Sequence, residues 1–556
     1  MLKRILAVSL ALNFSVAAQA ASPITLLSEQ CIDYRVSLSQ AKASDTQLDA
    51  SVRLERELIG LFNLKDSVRF YRHYPLNRQD RESLLQCQLH LADEFGRLAQ
   101  DAWLKAQSQQ WAASESPGLH HLGQLLTQQI AEQISQEQKA KLHTAQASIA
   151  HGLKQKDLSL IIGQDQCRLP DERVETQAQT RFDNSIASYL IHQQDETCKR
   201  LVWQAYQVRA KQKNQAALSL ILETRQAIAL EHGFRDYANW SLSHRQRAHP
   251  AQVKQYLDSQ TQRGPSPWAL GAVLAELPKV EVNALTGQAL LEAIQSTLVP
   301  FGLKFETVND KMLRLWHQGR LLGELFLAEG ARLQKNNARL SPLRQAVVGQ
   351  QFGQLTLSLP DELDDYRSQE LLISAMAEMV SRMIIGGRYY LNNTLGDDQA
   401  IARYWLSQYL TDRLLPKLPS NSREAQLKAF STQLKVFRSK LALSAYQAPE
   451  NRLYSDMSHE FALSFGNPWP QAKEAIYSFT GAATQGPLYY LPLWHQSLAR
   501  EIHARARLDT RALFELLLIN EQQLTLDERL TIIFGSAPSV ATILERSQHD
   551  QPKPIH

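Results

Sequence analysis

Apolar residues recur at three- and four-residue spacings along most of this chain, the spacing that gives an α-helix one apolar face. Glycines number only 23, and long runs are rich in Ala, Leu, Gln, Glu, Lys and Arg. Both features predict a mainly helical protein. In the N-terminal part, the pattern predicts helices at Gln47–Phe62, Asp80–Gln110 and His121–Gln146, with a polar, turn-rich break at Asn63–Arg78.

More helices are predicted between Ser185 and Ser241. Asp195 is followed by Glu196 and Thr197, a sequence that caps a helix and charges its first turn. The sequence Leu230-Glu231-His232-Gly233-Phe234 ends a helix at glycine, and Tyr237-Ala238-Asn239-Trp240 begins the next one. A further break is predicted at His249-Pro250.

Alternating apolar and polar residues predict only a few strands. Lys311–Trp316 and Leu321–Leu327 flank a turn at His317–Arg320, a pattern typical of a hairpin. Gln354–Leu359 alternates strictly, which predicts a half-buried strand. Together these strands predict one small sheet, and Asn336–Pro342 is the predicted joint between two lobes.

The most apolar helix is predicted at Gln369–Tyr390, with its end at Gly386-Gly387. Apolar residues lie on nearly every side of it, which predicts that the helix is buried. A narrow polar stripe at helical spacing interrupts them and consists of Ser374, Glu378, Ser381 and Arg382.

Two explanations account for a carboxylate in so apolar a helix, where an unpaired charge is unfavourable. Arg382, one turn further on, can pair with Glu378. Alternatively, the helix has the plan of a zinc helix, in which two histidines four residues apart flank a glutamate that acts as general base. In the frame Ala377-Glu378-Met379-Val380-Ser381, the glutamate is present, but Ala377 and Ser381 stand where the histidines would be.

Composition and charge narrow the class of protein. The chain has 556 residues, of which 44% are hydrophobic and 21% charged, an ordinary globular balance. A formal net charge of +4 gives no reason to expect a nucleic-acid partner. Residues 1–20 have the charged, apolar and small-residue regions of a signal peptide, which predicts export to the periplasm or secretion. No later run is long enough to predict a membrane span.

The four cysteines are Cys31, Cys87, Cys167 and Cys198. An even number in an exported chain predicts disulfides, and pairing of neighbours gives Cys31–Cys87 and Cys167–Cys198. Four cysteines allow three connectivities, so the other two remain open. None of the four has the spacing of a metal ligand.

Several segments resemble the M3 family of zinc oligopeptidases, the group of thimet oligopeptidase and oligoendopeptidases, and they occur in the family's order. Besides the Glu378 helix and the strands before it, the similar segments are Thr197–Leu257, Ser407-Gln408-Tyr409-Leu410, Tyr489-Tyr490 with Leu493-Trp494, and Phe534-Gly535-Ser536-Ala537-Pro538 with Ile543-Leu544. The resemblance implies a mainly α, two-lobed, zincin-type fold with one small β-sheet beside a central cleft. It also implies an N-terminal and upper helical lobe at 21–340 and a catalytic-domain-like lobe at 341–556.

The same resemblance implies that the catalytic site is degenerate. Zinc is the cofactor of the family, but Ala377 and Ser381 replace the two histidine ligands, and the third ligand falls near Tyr404. The histidine before the tyrosine-rich segment falls at Thr480 or Gly481, and the transition-state tyrosine falls at Pro492. Only the general base, Glu378, matches. The expectation is therefore no bound metal and no intact catalytic residue.

These expectations favour an inactive pseudopeptidase that binds a peptide or an exported protein in its cleft. Tyr489, Tyr490 and the strand Gln354–Leu359 are the candidate lining, although plain core packing explains the two tyrosines equally well. One alternative is an active zinc oligopeptidase with a non-standard site. Another is a scaffold that only binds other proteins. His459-Glu460-Phe461 begins like a zinc motif, but Leu463 stands at the place of the second histidine.

Overall fold

Helices account for most of the structure, as the spacing of apolar residues predicts. The computed structural model describes residues 22–72, 74–154, 167, 182–243, 245, 249–329, 338–347, 349–384 and 397–535. The signal peptide predicted at residues 1–20 and the end of the Glu378 helix predicted at Gly386-Gly387 lie outside these ranges. No described helix is both long and apolar enough to cross a membrane.

The helices follow one another with short connections. The first group comprises α1 (Pro23–Asp33), α2 (Ser39–Lys42), α3 (Gln47–Tyr71), α4 (Arg78–Gln100), α5 (Ala102–Ala112), α6 (Pro117–Ala131) and α7 (Gln136–Lys154). The second group comprises α8 (Phe182–His192), α9 (Glu196–Val208), α10 (Lys211–Glu231), α11 (Tyr237–Leu242), α12 (Pro250–Ser259), α13 (Leu270–Glu276) and α14 (Gly287–Leu298). The third group comprises α15 (Tyr366–Ile384), α16 (Asp397–Leu414), α17 (Arg423–Ala445), α18 (Met457–Phe465), α19 (Gly481–Thr484), α20 (Leu491–Arg505), α21 (Thr510–Phe514) and α22 (Leu526–Phe534).

Two predicted helices of the N-terminal part are each divided in two. Asp101 separates α4 from α5, because its carboxylate accepts a hydrogen bond from the Leu104 amide at 3.1 Å and so caps the second helix. A break of four residues separates α6 from α7, where the Ser135 hydroxyl accepts from the Gln138 amide at 3.1 Å. Side-chain caps thus interrupt an apolar spacing that continues across them.

The break predicted at Asn63–Arg78 is wrong for most of its length. Helix α3 continues to Tyr71, since Leu64, Val68 and Tyr71 keep the helical spacing and pack into the N-terminal core. The predicted starts of α9 and α11 are confirmed. Asp195 accepts from the Cys198 amide at 2.8 Å and caps α9.

Apolar side chains form two main cores. The N-terminal core draws on α1 to α6 and includes Val347 from a distant part of the chain. The larger core draws on α7, α9 to α12, the sheet and nearly all later helices. Both predicted disulfides are present: Cys31–Cys87 joins α1 to α4, and Cys167–Cys198 closes a small third cluster.

One mixed sheet of five strands lies in the larger core. Its strands are β2 (Leu303–Asn309), β3 (Met312–His317), β4 (Arg320–Glu329), β5 (Arg339–Arg344) and β6 (Gly353–Leu359), and a separate pair is formed by β1 (Leu285–Thr286) and β7 (Glu362–Leu363). The predicted hairpin is confirmed as β3 and β4. Gln318 and Gly319 have φ of 48° and 82°, as a two-residue hairpin turn requires.

The strand order β2-β3-β4-β6-β5 corrects one expectation about the site. Strand β6 contains the predicted segment Gln354–Leu359, but it pairs with β4 in parallel and with β5 antiparallel. Both of its edges are therefore occupied, so this strand offers no free backbone edge to an extended peptide. Strand β5, which the apolar pattern missed, contains Pro342 and lies at the edge of the sheet, where a missing amide donor is tolerated.

The sheet approaches α15 closely at Gly323 of β4. A Cβ atom placed on Gly323 would lie 2.9 Å from the Met383 sulfur and 2.6 Å from the Gly353 carbonyl oxygen. Only glycine fits at that distance, so this residue fixes how near the sheet comes to the helix that carries Glu378.

The boundary predicted between residues 340 and 341 falls inside β5. Side-chain hydrogen bonds also join the N-terminal helices to the segment after β5. The Asn63 and Gln351 amides exchange hydrogen bonds at 2.8 and 3.0 Å, and the Gln350 amide donates to the Glu55 carboxylate at 2.8 Å. Gln350 and Gln351 therefore pack against α3.

Candidate functional site

Helix α15 is buried on most of its surface, and its polar stripe lies where α16 packs alongside. Glu378 on this stripe is 28% exposed and contacts two arginines. The Nε atom of Arg382 donates to Glu378 Oε1 at 2.8 Å, and Nη1 of Arg403, on α16, donates to Oε2 at 3.2 Å. The predicted pair with Arg382 is therefore present, and Arg403 adds a second partner that spacing within one helix could not reveal.

The two positions that the resemblance aligns with zinc histidines face the core. Ala377 is fully buried and Ser381 is 1% exposed. The Ser381 hydroxyl donates to the Ala377 carbonyl oxygen at 2.8 Å, the bond that a serine commonly makes inside a helix. A methyl group and a hydroxyl engaged in this way do not fit a catalytic zinc, which needs three protein ligands.

Tyr404 on α16 marks the position implied for the third zinc ligand. Its ring is partly buried against the larger core, and the Arg403 guanidinium lies 4.6 Å from the ring centroid. One turn further along α16, the Ser407 hydroxyl lies 3.0 Å from the Ser374 hydroxyl of α15. These contacts hold the two helices in register, and they bring a guanidinium to Glu378.

The two candidate peptide-binding tyrosines have different surroundings. Tyr490 is 1% exposed and packs near Tyr256 at a ring-centroid distance of 6.4 Å, as expected for a core residue. Tyr489 is only partly buried and packs on Phe479 at 5.1 Å. A Cβ on Gly481 would lie 2.2 Å from the Tyr489 ring, so this glycine allows the ring to approach α19 closely.

Tyr489 also lies beside Arg438 of α17, a residue that the sequence analysis did not single out. Burial lowers the pKa of Arg438 from its usual value, the Tyr489 phenol opposes this effect, and Arg209 adds to it. The Arg438 guanidinium lies 5.0 Å from the centroid of the Phe479 ring. Lys435, one turn earlier on α17, has its pKa lowered by burial and by Arg403.

A row of cations therefore runs from α15 towards α9. We call it the cationic row, and its members are Arg382, Arg403, Lys435, Arg438 and Arg209. Among the described residues, Glu378 is the carboxylate that pairs with members of this row. Lys435 and Arg438 stand three residues apart among apolar neighbours on α17, a pattern visible in the sequence but indistinguishable there from an ordinary solvated face.

A half-open cavity of about 270 Å³ lies at the Arg438 end of the row. Its wall is made by helices α8, α9, α13 and α17 and is mainly apolar. The residues that define it are Leu190, Trp203, Tyr206, Leu270, Phe430 and Leu434. Arg438 contributes the charged group of the wall.

Two histidines of α20 pair with carboxylates of α16. Asp397, at the start of α16, accepts from His495 at 3.0 Å and lies 3.7 Å from Arg245. His503 pairs instead with Asp412, at 2.9 Å, so the two histidines of α20 have different partners. Within the described ranges, no group of three or more His, Cys, Asp or Glu side chains is placed to hold a metal ion.

Comparison with known proteins adds no relative. No protein-family model matches the chain, and no curated protein matches it.

Proposed function

We propose that this protein is an exported pseudopeptidase of the M3 type that binds peptides without hydrolysing them. In this proposal the chain has two helical lobes with a central cleft, and it is mature from near Ala21, in the periplasm or secreted. The two disulfides are typical of proteins from an oxidising, exported environment.

The observation that carries the proposal is the pairing of both Glu378 oxygens with guanidinium groups. A general base of a zinc peptidase directs its carboxylate at a metal-bound water. Here Arg382 donates to one oxygen and Arg403 to the other, so the carboxylate is held in a charge pair between two helices. Positive charge lies against Glu378, as in the zinc enzymes that the sequence resembles, but arginines supply it.

Peptide binding is supported by what surrounds this pair. Arg438 connects three features. It is a member of the cationic row, it interacts with the partly exposed Tyr489 ring, and it lines the apolar cavity. Such a surface combines charge, an aromatic face and apolar burial, which together suit a peptide. A scaffold for folded proteins would need a broad surface rather than a cavity of this size.

The test combines metal analysis, cleavage and binding on the full-length mature protein. The protein is dialysed against excess zinc, its metal content is measured, and a mixed peptide library is assayed for cleavage and for retention on the immobilised protein. The expected result is retention of peptides without cleavage and without stoichiometric zinc. The Glu378→Gln variant is expected to leave peptide retention unchanged.

Glu370→Gln is the matched control, since Glu370 lies two turns earlier on α15 and pairs with Lys428 of α17 instead of the two arginines. Zinc in a near one-to-one ratio, with cleavage lost in Glu378→Gln but kept in Glu370→Gln, would overturn the proposal in favour of an active oligopeptidase. Retention of an exported protein but of no peptide would favour the scaffold.

A further inference from the structure

Arg438 of α17 is partly buried, and among the described residues it has no carboxylate partner. Lys428 and Lys440 on the same helix pair with Glu370 and Glu460. Among the described residues, neither Arg438 nor Lys435 makes an ion pair with a carboxylate. Burying a guanidinium in this way is unfavourable unless an anion compensates it.

The surroundings of Arg438 define what that anion must carry. The guanidinium lies against the Phe479 ring and is hydrogen-bonded to the Tyr489 phenol, and Arg438 also lines the apolar cavity. Trp203 and Tyr206 of α9 and Leu434 of α17 line the same cavity. A ligand that satisfies both features has an apolar group next to a carboxylate.

We propose that this cavity binds the C-terminal residue of a peptide, with its apolar side chain against Trp203 and Leu434 and its carboxylate on Arg438. The inference rests on the proposed function as a peptide binder and names the part of the peptide that is recognised. A C-terminal residue carries its side chain and its carboxylate on the same carbon, which matches a single charged group in an apolar wall. Lys435, one turn earlier on α17, and Arg209, which interacts electrostatically with Arg438, add positive charge near the guanidinium and favour an anionic ligand further.

The experiment measures binding of three probes to the mature protein by titration calorimetry. The probes are acetyl-Ala-Ala-Ala-Phe with a free carboxylate, the same peptide as its C-terminal amide, and acetyl-Ala-Ala-Ala-Ser with a free carboxylate. The free Phe acid is expected to bind at least about tenfold more tightly than its amide, because a charge-assisted pair is lost. It is also expected to bind more tightly than the Ser acid, because the apolar cavity is left unfilled.

The Arg438→Gln variant is expected to bind the Phe acid as weakly as wild type binds the amide, with the affinity for the amide unchanged. Arg423→Gln is the matched control, since Arg423 is exposed at the first turn of the same helix. Arg438→Lys retains the charge and is expected to recover part of the preference for the acid. Far-ultraviolet dichroism and the unfolding midpoint show whether each variant is folded.

Equal affinity of wild type for acid and amide would overturn the inference, and so would an Arg438→Gln variant that loses both probes equally. If a mixed library is retained but these preferences are missing, the inference fails while peptide binding stands. If no peptide binds, both fail. Decanoate binding as tightly as the Phe acid would assign the cavity to small amphipathic carboxylates instead.

Discussion

Replacing Gly323 by alanine is expected to push the sheet away from the Glu378 helix. The added Cβ would lie 2.6 Å from the Gly353 carbonyl oxygen, whereas ordinary contact begins at about 3.4 Å. The oxygen would have to retreat by roughly 0.8 Å, yet β4 and β6 are paired in register at this point. The Met383 sulfur at 2.9 Å closes the other side.

Two effects set the size of the destabilisation expected for Gly323→Ala. Overpacking a buried site typically costs about 1–3 kcal/mol, and weakening a ladder hydrogen bond adds about 1 kcal/mol. The free energy of unfolding of Gly323→Ala is therefore expected to fall by about 2–4 kcal/mol. Because Met383 follows Arg382 on α15, the shift is also expected to loosen the contact between Glu378 and Arg403.

Two other glycines serve as controls. A Cβ on Gly353, directly across the ladder, would meet Ala346 and Met383 at 3.5 Å, an ordinary contact, so Gly353→Ala is expected to change stability by less than about 1 kcal/mol. Gly96, near the C-terminal end of α4, has no atom within 4 Å of a built Cβ. Gly96→Ala is expected to stabilise by about 0.5–1 kcal/mol through helix propensity.

Urea unfolding followed by dichroism and tryptophan fluorescence measures all three variants. The midpoint of Gly323→Ala is expected to shift downwards with little change in the slope with denaturant. An unchanged or raised midpoint for Gly323→Ala would refute the close approach of the sheet to α15. So would a fall in the free energy of unfolding of Gly353→Ala as large as that of Gly323→Ala.

Three further outcomes are expected. Replacing Cys31 and Cys87 together by alanine should lower the free energy of unfolding by about 2–4 kcal/mol, since the bridge closes a separation of 56 residues; chemical unfolding checks this, and four reactive thiols in the unreduced wild type would contradict it. Burial by itself raises the pKa of Asp397, but His495 and Arg245 together hold it below its usual value. Its stabilising effect is therefore present above about pH 4 and lost as the pH falls through the lowered pKa. Asp397→Asn should make the free energy of unfolding depend less on pH below about pH 4. An unchanged pH dependence in this variant would contradict the role of Asp397. Glu378→Gln should lower the free energy of unfolding by only about 1 kcal/mol, because the pair is partly exposed, and a loss several times larger in urea unfolding would show that the pair is essential to the fold.

Features that depend on neighbours in the chain could be predicted from the sequence. The hairpin of β3 and β4 follows from a two-residue turn whose φ values are positive at Gln318 and Gly319. The cap of α9 requires only Asp195 and an amide three residues later. The pair of Glu378 with Arg382 spans one helical turn. In each case the partners lie within four residues, so the spacing alone fixes their contact.

Features that join distant segments could not be predicted in this way. Arg403 reaches Glu378 from another helix, and Arg438 meets Tyr489 and the cavity wall from segments far apart in the chain. Strand β5, with Pro342, becomes a strand only because β6 supplies its hydrogen-bonding partner. The sequence by itself determined the helical class, the hairpin and the residue types that flank Glu378. The tertiary structure decided that Arg403 pairs with Glu378 and that Arg438 lines the cavity. These contacts depend on how the helices pack against one another, and residue spacing along a single helix does not determine that packing.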